Sequence, residues 1–215
     1  MHRPRPEMRL HLRGIDEGFP PHSYNPTRES IPDLLNQRGD LLSVGPVGWD
    51  IIKKQIASRV RKGEEELRHN LVVAKLLHDY TIEKGIWSKH HEFFQLKIGL
   101  VGGVRFWWDV YYIDDGRAVV PFVDPRLSRG LSAEDRRVVF SFMNERIRVP
   151  GSNFEDARLA IIQFPRNKKD GKRTLRIHYD DGVELYSFEQ LSRMVAVLYE
   201  EWATELVACE LSPSR

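Results

Sequence analysis

Thiol chemistry is nearly absent from this chain, whose one cysteine is Cys209. That excludes an internal disulfide and a cysteine-rich zinc site, and it fits a reducing cytoplasm. Long apolar runs are missing as well, so no stretch reaches the roughly 20 residues of a membrane-spanning helix. The N-terminus, Met1-His2-Arg3-Pro4-Arg5-Pro6, lacks the apolar core of a secretory signal. An excess of one charge is lacking too: 33 Lys and Arg stand against 31 Asp and Glu, leaving +2. Affinity for a polyanion must then come from local patches. Gly99-x-x-Gly102-Gly103 has neither the lysine nor the helix of a phosphate loop, and no serine or cysteine nucleophile motif occurs. These absences predict a soluble cytoplasmic protein that does not engage a membrane.

What is present supports a core. Apolar residues make up 41% of the 215 and charged residues 30%, a globular balance for one domain with an appended arm. Residues 1–48 are rich in Pro, Gly, Arg and Asn and read as an extended basic arm, with a short helix over 31–37. Arg3, Arg5, Arg9 and Arg13 against Glu7 alone form a tail suited to tracking phosphates, or simply a solvated terminus. Residues 49–210 read as a single α/β domain. Ile52, Ile56 and Val60 form a helical stripe, Gly63 interrupts it, and Leu67, Leu71, Ala74 and Leu77 resume it as far as Gly85. Strands follow over 93–100 and 104–123. Ser132-x-x-Asp135 opens a helix to about residue 147, and 157–164 is a buried strand. A second hairpin turns at Asp181-Gly182, and Ser187-x-x-Gln190 caps a long helix with Phe188, Leu191, Val195, Leu198 and Trp202 on its apolar face. The expected fold is a mixed central sheet flanked by helices.

The densest chemistry lies in residues 104–126, VRFWWDVYYIDDGRAVVPFVDPR. Asp115-Gly116 between apolar runs predicts a two-residue type I′ turn. Asp114 then pairs with Arg117, Asp109 with Phe122 and Trp107 with Asp124. Asp109 and Asp124 fall on one face, roughly 7–8 Å apart at the backbone. Two carboxylates so placed could share one divalent cation; a glutamate at the start of the preceding helix, Glu64, Glu65 or Glu66, could complete the shell. The structural alternative is an Asp124 that caps the turn before Pro125 and an Asp109 paired with Arg105 or Arg126.

With Asp109 in the second strand and Asp124-Pro125-Arg126 ending the third, the order of elements resembles the PD-(D/E)XK nuclease superfamily over roughly residues 64–164. The resemblance implies a restriction-endonuclease-like core with an additional C-terminal hairpin and helix. It implies Mg²⁺ held by Asp109 and Asp124, with Glu65 as the optional early acid and Gln163 near the site. Arg126 would stand at the family's lysine position, where it could steady a phosphate but not act as a base. The expected activity is metal-dependent phosphodiester hydrolysis. Nucleic acid, DNA before RNA, would lie along Arg105, Arg129, Arg136, Arg137 and Gln163. Arg126 for lysine and Pro125 in the strand depart from the pattern. The second expectation is therefore a catalytically inactive nucleic-acid- or protein-binding subunit of a larger assembly, with the C-terminal helix as a docking surface for a protein partner. The arginines on helix 132–147 alternate with Glu134, Asp135 and Glu145 and equally suit a solvated face. Trp107, Trp108, Tyr111 and Tyr112 suit either base stacking or core on both sides of a strand.

Overall fold

The computed structural model describes residues 24–37, 45–99, 109–126, 130–151 and 153–210, the side chains of 202 and 205–210 excepted. The basic tail, the Gly102-Gly103 turn, Arg105, Trp107, Trp108 and Arg129 lie outside them.

Two short helices, α1 (Asn25–Arg28) and α2 (Ile31–Leu34), precede α3 (Trp49–Arg59) and α4 (Glu64–Glu83). Then come β1 (Ser88–His90), β2 (Val110–Asp114), β3 (Arg117–Asp124), α5 (Ala133–Ile147), β4 (Arg158–Gln163), β5 (Arg176–Tyr179) and α6 (Phe188–Glu210). The strands form one mixed sheet in chain order, antiparallel except for β3 and β4, which run parallel because α5 crosses between them. The fold is α/β with a mixed sheet flanked by helices, as the periodicities predict.

Two faces of the sheet are covered by different helices. Ile52 and Ile56 of α3 and Val73, Ala74 and Leu77 of α4 pack with Val110, Val123 and Ile162. Phe140, Met143 and Ile147 of α5 pack with Val120, Leu159 and Ile161 on the other face. Gly63, at φ +89°, separates α3 from α4. Glu66 is buried there and accepts from the backbone N–H groups of Arg61 and Lys62 at 2.9 and 2.8 Å, which closes the bend. Ile31, Leu34 and Leu35 belong to the same core as α3 and α4. Asn70 of α4 accepts from the backbone N–H of Thr27 at 3.0 Å. Residues 24–37 are therefore packed structure inside the stretch expected as an arm.

The β2–β3 turn has the expected residues and register: Asp114 pairs with Arg117, and Asp115 and Gly116 take φ of +48° and +76°. The ladder ends at Tyr112 with Val119. Pro121 follows two residues later and has no N–H to continue it, so Asp109 does not join Phe122 as a ladder pair. Two further strands differ from expectation. Residues 91–99 lie outside the five strands, with one bridge at Lys97. After β5 the chain turns at Asp180-Asp181-Gly182, but 183–187 form no strand, because Val183 and Leu185 pack toward the α5 cluster instead. Both capping boxes form. Ser132 Oγ accepts from the Asp135 N–H at 3.1 Å, and Gln190 Oε1 accepts from the Ser187 N–H at 2.9 Å.

Candidate functional site

Strands β3 and β4 end side by side, with Asp124 opposite Gln163. Asp124 is buried and is the acceptor for a full set of donors. Arg126 Nε reaches Oδ1 at 2.7 Å and Arg126 Nη2 reaches Oδ2 at 3.2 Å. Gln163 Nε2 and the Leu131 N–H bind Oδ2 at 3.0 and 3.2 Å. Burial alone would raise this carboxyl's pKa. The Arg126 ion pair and the Gln163 and Leu131 donors outweigh it and hold the group below the usual aspartate value. Gly130 packs closely here: a Cβ there would sit 3.1 Å from Gln163 Nε2, which would have to give by a few tenths of an ångström.

Two more guanidinium groups share this end of the sheet. Arg173 donates to the carbonyls of Phe164 and Pro125 at 3.0 and 2.7 Å and to the Tyr24 hydroxyl at 2.9 Å. It thus ties Tyr24 to the ends of β3 and β4. Burial lowers the pKa of Arg173, and burial likewise lowers that of Arg28, partly offset in each case by the charge of Asp124. The carboxylate is the counter-charge of a cationic cluster and joins Arg126, Gln163 and the Leu131 N–H.

Asp109 lies just before β2 and faces the α5 side, as strand alternation predicts for it and for Asp124. Its partner is Arg146 of α5, in a bidentate pair of 2.6 and 2.7 Å. Arg146 Nε also donates to the carbonyl of Phe94 at 3.0 Å. The ion-pair alternative thus describes both aspartates, with Arg146 in place of Arg105 or Arg126 as the partner of Asp109.

The remaining candidates are dispersed. Glu65 is exposed on α4, across the sheet from α5, 3.8 Å from Arg68. Arg136 donates to the Leu131 carbonyl at 2.9 Å and to Gln163 Oε1 at 3.4 Å. Arg137 donates to the Glu184 carbonyl and lies 4.0 Å over the Tyr186 ring. Among the described residues no group of three or more His, Cys, Asp and Glu is placed to hold a metal ion. Sequence reasoning missed Arg173, whose place in a charged turn carries no sign of burial. It also set Arg146 on the flank of its helix; a cation among Phe142, Met143 and Ile147 was the available signal that it turns inward.

The chain that builds this arginine-bound end of the sheet falls in a family of bacterial toxins described as binding the sliding clamp. The family model is that of the sliding clamp-binding bacterial toxin SocB, and it matches residues 2–208. The chain is a member of that family. A relative, the DNA replication inhibitor toxin SocB of Caulobacter vibrioides (strain NA1000 / CB15N), is 33% identical over 192 residues, 89% of this chain and 79% of the relative. No solved structure matches.

Membership in this family corrects the PD-(D/E)XK resemblance and the nuclease activity that it implied. The nucleic-acid partner expected along Arg136, Arg137 and Gln163 is withdrawn with it, since these side chains brace the loops around α5. The Mg²⁺ expected between Asp109 and Asp124 was an implication of that resemblance and remains an expectation. The family's partner is a protein, the kind of partner that the second expectation allowed.

Proposed function

We propose that this chain is a toxin that binds the sliding clamp and thereby inhibits DNA replication. The observation that carries this reading is the match of residues 2–208 to a family of that description, alongside a replication-inhibiting relative aligned over 89% of the chain. The chemistry is compatible with inhibition by occupancy. Asp109 and Asp124, the two carboxylates expected as metal ligands, are each held by an arginine. Such an inhibitor acts one molecule per site, so its potency follows the amount of clamp present. It would work where replication proceeds, in the bacterial cytoplasm, and among the described residues no helix is long and apolar enough to cross a membrane.

The test is surface plasmon resonance of the purified chain on immobilised bacterial sliding clamp, beside clamp-dependent primer extension in vitro. Saturable one-to-one binding is expected, with extension arrested at stoichiometric toxin and restored by added clamp. No binding at micromolar concentrations, or arrest that added clamp does not relieve, would refute the reading.

A further inference from the structure

The segment after β1 breaks its own pattern. Lys97 and Gln95 face solvent while Ile98 and Leu96 are buried, an alternation that would carry Phe94 inward and Phe93 outward. The structure does the reverse: Phe93 is 8% exposed and Phe94 58%. Arg146 holds this inversion. Its Nε binds the Phe94 carbonyl, its other two nitrogens bind Asp109, and its guanidinium carbon lies 5.9 Å from the centre of the Phe93 ring. The Arg146 side chain is only 8% exposed. Burying an ion pair is costly, and the Nε–H of this one donates to the backbone of an exposed aromatic residue.

An aromatic ring whose backbone is fixed before binding loses little entropy on docking, and large aromatic residues dominate interface energetics. Gln95 beside it is exposed and supplies a polar rim. Val149, also exposed, stands three residues past Arg146 at the end of α5. We infer that Phe94 is the anchor with which this chain docks on the sliding clamp, Gln95 forming its rim and the Asp109–Arg146 pair acting as positioning residues. The inference rests on the clamp reading above. It requires an apolar pocket on the clamp that admits one ring.

The experiment is a binding titration of the full chain against purified bacterial sliding clamp. Phe94→Ala is compared with Ile113→Ala, an equally exposed apolar residue next to the β2–β3 turn. Phe94→Ala should weaken binding by about ten-fold or more, the loss typical of an interface hot spot, at an unchanged melting temperature. Ile113→Ala should change binding less than about two-fold. Asp109→Asn should weaken clamp binding in the wild-type background and not in the Phe94→Ala background, because it acts through the ring. A wild type that binds clamp while Phe94→Ala loses less than ten-fold overturns the anchor and leaves the clamp reading intact. A wild type that does not bind clamp overturns both. Independent losses from Asp109→Asn and Phe94→Ala overturn the positioning role. Self-association that Phe94→Ala abolishes while clamp binding persists assigns the ring to a second copy and overturns the inference.

Discussion

Asp124→Asn removes one charge and changes almost no volume, so it isolates the electrostatics of the cluster at the ends of β3 and β4. An asparagine offers one acceptor oxygen and an NH₂, whereas Arg126, Gln163 and the Leu131 N–H all present donors to the native carboxylate. At least one donor must then face another. Hydrogen bonds to a charged group contribute about 1.5–3 kcal/mol each, and breaking a buried pair costs about 3–5 kcal/mol. Arg126 is 45% exposed and can turn to water, which lowers the cost. Arg28 and Arg173, both partly buried, lose counter-charge, which raises it. A net loss of about 3 kcal/mol follows from these opposing effects. With a urea m-value of about 2–3 kcal/mol/M, the midpoint should fall by about 1 M or slightly more at unchanged m. The pH dependence carries the sign. The folded pKa of Asp124 is depressed below the unfolded value of about 3.9, so its contribution is complete above that value and is lost as pH falls through the folded pKa. Wild-type stability should therefore decline more steeply than that of the variant below about pH 4. A midpoint shift under about 0.3 M, or parallel acid profiles for the two proteins, would refute the assignment of Asp124 as the counter-charge of this cluster.

Two further perturbations test separate contacts. Asp109→Asn leaves the largely buried Arg146 without its bidentate acceptor and should cost about 3 kcal/mol, read by calorimetry as a fall of about 6–12 °C in melting temperature; a fall under about 2 °C would show the pair to be dispensable. Gly99→Ala combines a φ of +81° with a Cβ 2.7 Å from Tyr199 Cε2 and 2.8 Å from Val195 Cγ1, so α6 must shift away. Limited proteolysis should then cut within 188–210 faster than in wild type, and an unchanged cleavage rate would mean that α6 is not seated on this glycine.

Much of the fold was legible because its signals are local. Asp115-Gly116 sets a turn through backbone conformations that few residue pairs adopt, and the register Asp114 with Arg117 follows without tertiary information. Ser132 and Asp135 satisfy each other's backbone within one helical turn. What failed depended on partners far along the chain. Residues 183–186 alternate as a strand would, yet Val183 and Leu185 find more apolar surface against the α5 cluster than they would on a sheet edge. Residues 24–37 look like linker in composition, and only the buried Asn70, 43 positions from Thr27, reveals them as core.

The arginine partners of the candidate site were hidden for a related reason. Alternation placed Asp109 and Asp124 on one face, and in the structure both lie on the side that α5 covers. Two carboxylates on one face require positive charge, but the type of charge is not written in their spacing. A metal ion and a pair of arginines satisfy the same electrostatic need. Arg126 was visible two residues from Asp124, whereas Arg146 reaches Asp109 across 37 residues and a helix crossover. The physical difference between the alternatives lies in the third donor. A shared cation would leave coordination positions open to a substrate, while a guanidinium keeps a further N–H for another acceptor of the protein. Arg146 directs it to the Phe94 carbonyl. On the inference drawn above, a partner protein would meet the exposed Phe94 ring whose backbone Arg146 holds, and not the space between the carboxylates.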